Sequence, residues 1–306
     1  MVKYLPEGQL LSTAENRQYI SSECGLEAAR AEGRILEAMA LMCDGELNIT
    51  VDLFGTKGVI PKNEAVYGES QKDIAIITRI GKPVCFKVLG FQTDENGIRY
   101  ALLSRRAAQA ECMRNFVSTL ESGDIIDAKV THMERFGAFV DIGCGLISLL
   151  SIDCISVSRI THPKDRFSVG SCIKAVIKSI DHETGRVYVS HKELLGTWEE
   201  NAAEFSIGQT VAGIIRSIED YGVFIELTPN LTGLAEAREG LEVGQCAAVY
   251  IKNIIPERMK IKLVIIDAGR ECEIQKKGKY RLDGETHIDR WVYSPECCNK
   301  LIESVF

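Results

Sequence analysis

The chain has 306 residues, with 36 Lys and Arg against 43 Asp and Glu, a formal net charge of −7. With 45% hydrophobic and 26% charged residues the composition is ordinary globular, and the acidic balance argues against indiscriminate binding to duplex nucleic acid, which usually shows as a basic domain. No run approaches the ~18 consecutive apolar residues of a membrane span, and the start Met1-Val2-Lys3-Tyr4-Leu5-Pro6-Glu7 has no apolar core before a small-residue cleavage site, so we expect a cytoplasmic protein without membrane contact.

Residues 1–32 are polar and helix-prone. Ser21-Ser22 ahead of Glu23, followed by Leu26, Ala29 and Arg30, predict a capped helix near 22–32. Leu47 to Leu53 alternates with the period of a half-buried strand. Further strands are predicted at 74–80 and 84–89, separated by Gly81-Lys82-Pro83. Residues 105–120 have helical composition. Five strands are then predicted near 124–133, 136–142, 146–150, 171–180 and 186–190, with an irregular segment at 154–168. Short strands between Gly and polar turns indicate a small barrel. Five strands with that insertion match the OB architecture, whose second and third strands form a face for oligonucleotides. Glu193 to Glu204 reads as a second helical linker, and residues 205–268 as a further barrel. The tail, 269–306, contains Trp291 and Tyr293 and is too short to be a domain alone. We expect it to pack against the third domain.

A short phrase ties these segments together. Phe136-Gly137-Ala138-Phe139-Val140-Asp141-Ile142 leads into Gly145-Leu146-Ile147, and Tyr221-Gly222-Val223-Phe224-Ile225-Glu226-Leu227 leads into Gly233-Leu234. Val51-Asp52-Leu53 leads into Gly58-Val59-Ile60 without an aromatic pair. The offsets are 85 and 89 residues, which indicates one copied unit of small-domain size. Two rings around a Gly form a plate on which unpaired bases stack. Strand neighbours alternate faces, so the alternative places one ring of each pair in the core, unless a bulge at the Gly turns both outward.

The eleven cysteines are scattered without a C-x-x-C pair, and Cys297-Cys298 are adjacent, which is no zinc spacing. Reduced thiols serving as small buried hydrophobes are expected, as at Cys85, Cys172 and Cys246. By segment, residues 33–110 carry +1, residues 122–193 carry 0 and residues 204–268 carry −3. Four of the five histidines, His132, His162, His182 and His191, fall in the neutral middle segment. A neutral domain binds single strands when its basic groups share one face and stacking supplies the rest. Arg159-Ile-Thr-His162-Pro-Lys164-Asp-Arg166 gathers three cations and a His in eight residues, either to track a phosphate backbone or as a solvated loop. Lys129, Lys174 and Lys178 are further candidates for that face. No P-loop and no H-E-x-x-H is present, so neither catalysis nor a metal or cofactor is expected.

The middle segment resembles the RNA-binding domain named after ribosomal protein S1. The resemblance rests on Gly123-Asp-Ile-Ile-Asp-Ala-Lys-Val130, Phe136 to Ile142, Gly145-Leu-Ile147, Phe167-Ser-Val-Gly170, Ala175 to Asp181, and Gly185-Arg-Val-Tyr-Val-Ser-His-Lys192. The third segment is similar through Phe205 to Val211, Tyr221 to Phe224, Gly233-Leu234, Val243-Gly244 and Ala248 to Ile251. The first is the weakest match, through Gly58 to Ala65 and Leu103 to Arg106. Three copies over about three quarters of the chain resemble the short bacterial form of the family.

The resemblance implies a mainly β chain of three tandem OB domains with a helical N-terminus and helical linkers. The expected boundaries are a cap (1–32), a degenerate S1-like domain (33–110), a linker (111–121), an S1 domain (122–193), a linker (194–203), a divergent S1 domain (204–268) and the tail. It implies that Phe136, Phe139, Tyr221 and Phe224 stack on bases. Ser148 stands where the family has a His, and Glu236 stands there in the third copy. Asp181 and Arg186 match an Asp and Arg at the last strand turn, where the third copy has Ile255 and Lys260. Asp181 alternatively caps the turn. Arg159, His162, Lys164, Arg166 and Lys192 complete the expected RNA face. The first copy has Leu47 and Thr50 at the ring positions and is expected to contact protein, small-subunit proteins among its partners. The implied function is binding of single-stranded mRNA at the small ribosomal subunit. The alternatives are an RNA-turnover or regulatory factor off the ribosome, and a protein-interaction scaffold built of OB domains.

Overall fold

The computed structural model describes residues 4–68, 73–181, 185–270, 278–281 and 284–306, so His182, the first three residues of the cap and tail positions 271–277 and 282–283 lie outside the described residues. The chain divides into two compact units. One comprises Met1–Leu120 with Asp127–Lys129 and Asp141–Ile147, the other Glu121–Ile126, Val130–Val140 and Ser148–Phe306.

Three closed five-stranded barrels make up the sheet structure. The first contains β1 (Leu36–Cys43), β2 (Ile49–Leu53), β3 (Thr56–Ile60), β4 (Pro83–Thr93) and β5 (Arg99–Ser104). The second contains β6 (Ile125–Glu134), β7 (Gly137–Asp141), β8 (Ile147–Ser151), β9 (Cys172–Asp181) and β10 (Arg186–Ser190). The third contains β11 (Thr210–Glu219), β12 (Gly222–Thr228), β13 (Leu231–Ala235), β14 (Cys246–Ile255) and β15 (Lys260–Arg270). In each barrel the third and fifth strands run parallel, and the fourth and fifth form an antiparallel hairpin. That is the OB connectivity, in which the fifth strand closes onto the third.

In the first unit, α1 (Ala14–Ile20) and α2 (Glu23–Glu32) precede the barrel. Ser22 caps α2 by accepting from the Gly25 N–H, and Gly33, at φ 67°, ends it. Ile20, Leu26 and Ala29 join the barrel core. Residues 74–80 depart from the expected strand. Asp73–Ile77 is a short helix, α3, in which only Ile76 is buried. A closed barrel has no free edge for a sixth strand, so this apolar run anchors by one side chain instead. Helix α4 (Arg105–Asn115) follows β5, capped by Ser104, which accepts from the Ala107 N–H.

Buried charge fastens the N-terminal residues of this unit. Glu7 accepts from Arg105 Nε at 2.6 Å, from Arg105 Nη2 at 3.1 Å and from the Cys85 N–H at 3.1 Å. Burial works against its charged form, but Arg105 and Arg79 outweigh it and hold the carboxyl below its ordinary value. Asp141 accepts from the N–H groups of Glu7, Gly143 and Gly145. Burial, and then the neighbouring Glu7 charge, raise its carboxyl. Glu37 is fully buried and accepts from the N–H groups of Gly8, Leu10 and Leu11, while its other oxygen has no partner.

Burial pushes the Glu37 carboxyl up to about 7, so its contribution to stability is complete below the ordinary value of 4.5 and is lost as pH rises through about 7. Asp141 acts in the same direction. The unfolding free energy of this unit is therefore expected to fall between those pH values, by at most about 1.4 kcal/mol per pH unit from each group. Urea titrations across that range check it. Glu37→Gln is expected to flatten the slope, and an unchanged slope would show that Glu37 is not the group responsible.

In the second unit, α5 (Trp198–Ala202) carries a capping box from Thr197 and Glu200. Buried polar groups join the second and third barrels. Asn230 accepts from the Val157 N–H and donates to the carbonyls of Lys192 and Gly196. The tail contributes Trp291 and Tyr293 to the third barrel's core. It also pairs with the second barrel, through Ile125 N–H to the Thr286 carbonyl and Ile288 N–H to the Gly123 carbonyl, both at 2.9 Å.

Cys85, Cys112, Cys144 and Cys154 are buried free thiols. Cys246 is disulfide-bonded, against the expectation of reduced thiols. Among the described residues no helix is long and apolar enough to cross a membrane, and no cluster of His, Cys, Asp and Glu is placed to hold a metal.

Candidate nucleic-acid interface

The phrase around Phe136 resolves into a turn and a strand. Phe136 stands in the turn after β6 with 56% of its surface exposed. Gly137 opens β7 against β8, where a Cβ would lie 2.5 Å from the Leu150 carbonyl oxygen. Only Gly tolerates that approach. Ala138 and Val140 are fully buried, and Phe139 between them points outward. Both rings therefore lie on the outer side of the barrel, the first from the turn and the second from the strand. Their centroids are 6.0 Å apart at 90°.

The third barrel repeats this geometry. Tyr221 is 71% exposed, and its ring lies 6.1 Å from that of Phe224 at 87°. A Cβ on Gly222 would lie 2.5 Å from the Ala235 carbonyl oxygen.

Ladder register extends each face across its barrel. In the third barrel, Ser217, Phe224, Leu234, Lys262 and Asn253 form one cross-strand row. In the first, the row is Met42, Thr50, Val59, Leu102 and Gly90, with neither ring nor charge. In the second, Leu149, Tyr188 and Ser179 are in register. There Phe139 is flanked by His132, whose ring stacks on it at 6.0 Å and 25°. His132 and Tyr188 were absent from the expected RNA face. Period-two alternation from Arg186 signals Tyr188, and the aromatic position four residues before Phe136 signals His132.

The other expected residues divide. Arg186 is exposed and sits opposite the half-buried Asp181 at the end of the β9–β10 hairpin; Lys260 sits opposite Ile255 at the same place in the third barrel. Arg159 and Lys164 are exposed. His162 is half-buried and caps a single turn, its Nδ1 accepting from the Lys164 N–H. Lys192 is half-buried, with its ammonium 3.5 Å from the Asp153 carbonyl oxygen.

Two expected residues are not on the face. Ser148 is 2% exposed, and its hydroxyl donates to the Val187 carbonyl at 2.6 Å, bridging β8 to β10. Arg166 is 3% exposed and donates to Glu226 at 2.6 Å, while Arg216 donates to the same carboxylate at 2.8 Å. A buried cation keeps its charge only beside such a partner, so this guanidinium is committed to Glu226 and not to the surface. Of the further lysines, Lys129 donates to the Glu7 carbonyl within the first unit, and Lys178 is exposed with its ammonium on Cys154 Sγ at 3.2 Å. His191 adds no cation, since burial pushes its pKa down to about 4.

Comparison with known proteins agrees with this geometry. Residues 119–192 match the S1 RNA binding domain family. The chain is 32% identical over 231 residues to small ribosomal subunit protein bS1 of Rhodopseudomonas palustris, covering 74% of this chain and 37% of that protein. It is 29% identical to the bS1 protein of Staphylococcus aureus strain COL, covering 71% of this chain and 58% of that protein. It is 29% identical to the bS1 homolog of Bacillus cereus, covering 74% and 61%. The chain thus spans between about a third and two thirds of the length of these relatives. The chain is similar to ribosomal protein bS1 over about 70% of its length, and residues 119–192 match the S1 RNA binding domain.

Proposed function

We propose that this chain binds single-stranded RNA, and mRNA in particular, and acts in translation at the small ribosomal subunit. The observation that carries the reading is the outward aromatic plate of the second barrel, Phe136 and Phe139 with Arg186 on the same domain. The family match over residues 119–192 supports it. Rings supply sequence-tolerant stacking, and the exposed Arg159, Lys164 and Arg186 supply a salt-dependent share. Asp181, His162, Lys192 and Lys260 stand at the margins of this interface. The third barrel adds a weaker contact through Tyr221 and Phe224, held back by its acidic charge. The role is binding, not catalysis, and its place is the cytoplasm. We keep the segment boundaries at residues 33–110, 122–193 and 204–268 as the functional modules.

The first barrel has a different role in this proposal. Its row of Met42, Thr50, Val59, Leu102 and Gly90 offers no base a ring and no phosphate a cation. It contacts protein, small-subunit proteins among its partners.

The test is fluorescence anisotropy of a labelled single-stranded RNA of ~12 nucleotides, spanning one or more OB-fold footprints, against a duplex of equal length. Tight binding of the single strand with a shallow salt slope, reflecting about three phosphate contacts, is expected. Equal affinity for duplex, or a steep slope, would replace stacking with bulk electrostatics. Absence of binding would leave a protein-interaction scaffold. Co-sedimentation with small subunits then separates a ribosomal role from one off the ribosome.

A further inference from the structure

We propose that His132 is a third base-stacking ring in the second barrel, so that its site holds an unpaired nucleobase beyond those on Phe136 and Phe139. This rests on the single-strand reading above and extends it. The His132 ring is nearly parallel to Phe139, at 25° and 6.0 Å, and its side chain is 62% exposed. The Phe136 ring also lies 6.0 Å from Phe139, edge-on at 90°. His132 and Phe136 are thus both ring neighbours of Phe139.

The position is built, not incidental to a loop. His132 lies on β6, and its Nε2 is hydrogen-bonded to Glu134 Oε1 at 2.7 Å, which holds the ring by its edge and leaves its plane aligned with Phe139. An imidazole face stacks on a base as other aromatic side chains do. Ser148 cannot contribute to the surface, because it is buried and bonded to the Val187 carbonyl. The third barrel shows what the absence of the His132 ring looks like. Ser217 lies directly across from Phe224, so the plate there ends at two rings.

The experiment uses the full chain and a labelled single-stranded RNA of ~12 nucleotides, read by anisotropy. His132→Ala is expected to weaken binding about 5- to 150-fold, the range for losing one stacked base. His132→Phe, which keeps a ring and loses both nitrogens, is expected to bind within about twofold of wild type, since every base has a π-face. Ser217→His is expected to strengthen binding by the third barrel in a Phe136→Ala, Phe139→Ala background. Thermal unfolding of His132→Ala should match wild type, because the side chain is exposed. Wild-type affinity in His132→Ala, alongside a large loss in the Phe136, Phe139 double variant, overturns this proposal and leaves the single-strand reading intact. Failure of His132→Phe to restore binding overturns the stacking role. Wild-type affinity in the double variant, or no binding by wild type, overturns both.

Discussion

Replacing Arg105 by Ala is expected to destabilise the first unit by about 3–5 kcal/mol, the cost of depriving a buried carboxylate of its hydrogen-bonded partner. Arg105 is 3% exposed and Glu7 6% exposed. The guanidinium makes two bonds to Glu7 and two more to the carbonyls of Ala65 and Gly145. Without it, Glu7 keeps only Arg79, whose Nη1 lies 3.6 Å away, and must ionise beside the raised carboxyl of Asp141 or take up a proton. Urea unfolding of the variant measures the loss. Replacing the pair together, by Glu7→Gln with Arg105→Met, is expected to recover a large part of it, because a buried ion pair removed as a whole takes its desolvation penalty with it. A loss below about 1 kcal/mol in Arg105→Ala would mean that water reaches Glu7 in solution, as for an exposed pair.

Removing both plate rings, by Phe136→Ala with Phe139→Ala, is expected to weaken binding of single-stranded RNA by about 2–6 kcal/mol, at least roughly thirtyfold. The sum assumes that each ring stacks one base. The loss should persist at high salt, since stacking releases no counterions. The fold should survive, because Phe136 is exposed and Phe139 is only half-buried. Tyr221→Ala with Phe224→Ala is expected to lose less, in the acidic third barrel. Equal affinity of the Phe136, Phe139 variant and wild type would sink the stacking reading, and a loss that vanishes at high salt would make the plate secondary to the cations.

The repeated phrase placed the rings correctly from sequence because its determinants are local. Ala138 and Val140 alternate inward around Phe139, and Gly137 is required by the backbone of β8. Phe136 owes its exposure to the turn it occupies after β6. Residues 74–80 were misread for a comparable reason. Ile74, Ile76, Ile77 and Ile80 have strand-like composition, yet whether a strand forms depends on a free edge, and the closed barrel offers none.

The cations show the limit most clearly. Arg159, Lys164 and Arg166 look alike in the chain, yet two are exposed and the third is buried against Glu226, sixty residues away. Ser148, aligned by resemblance with a family His, instead bridges two strands of its own barrel. His132 was visible only as one of several histidines until β6 set its ring against Phe139.

By itself the sequence determined the three barrels, the helix at 23–32 and the positions of both ring pairs. Alternation, capping and turn glycines act within a few residues, so they are readable along the chain. Tertiary structure alone decided which polar groups remain on the surface, where the N-terminal carboxylates are buried, and that the tail pairs with the second barrel as well as the third. Burial and partnership depend on segments far apart in sequence that barrel closure brings together, and no local pattern encodes them.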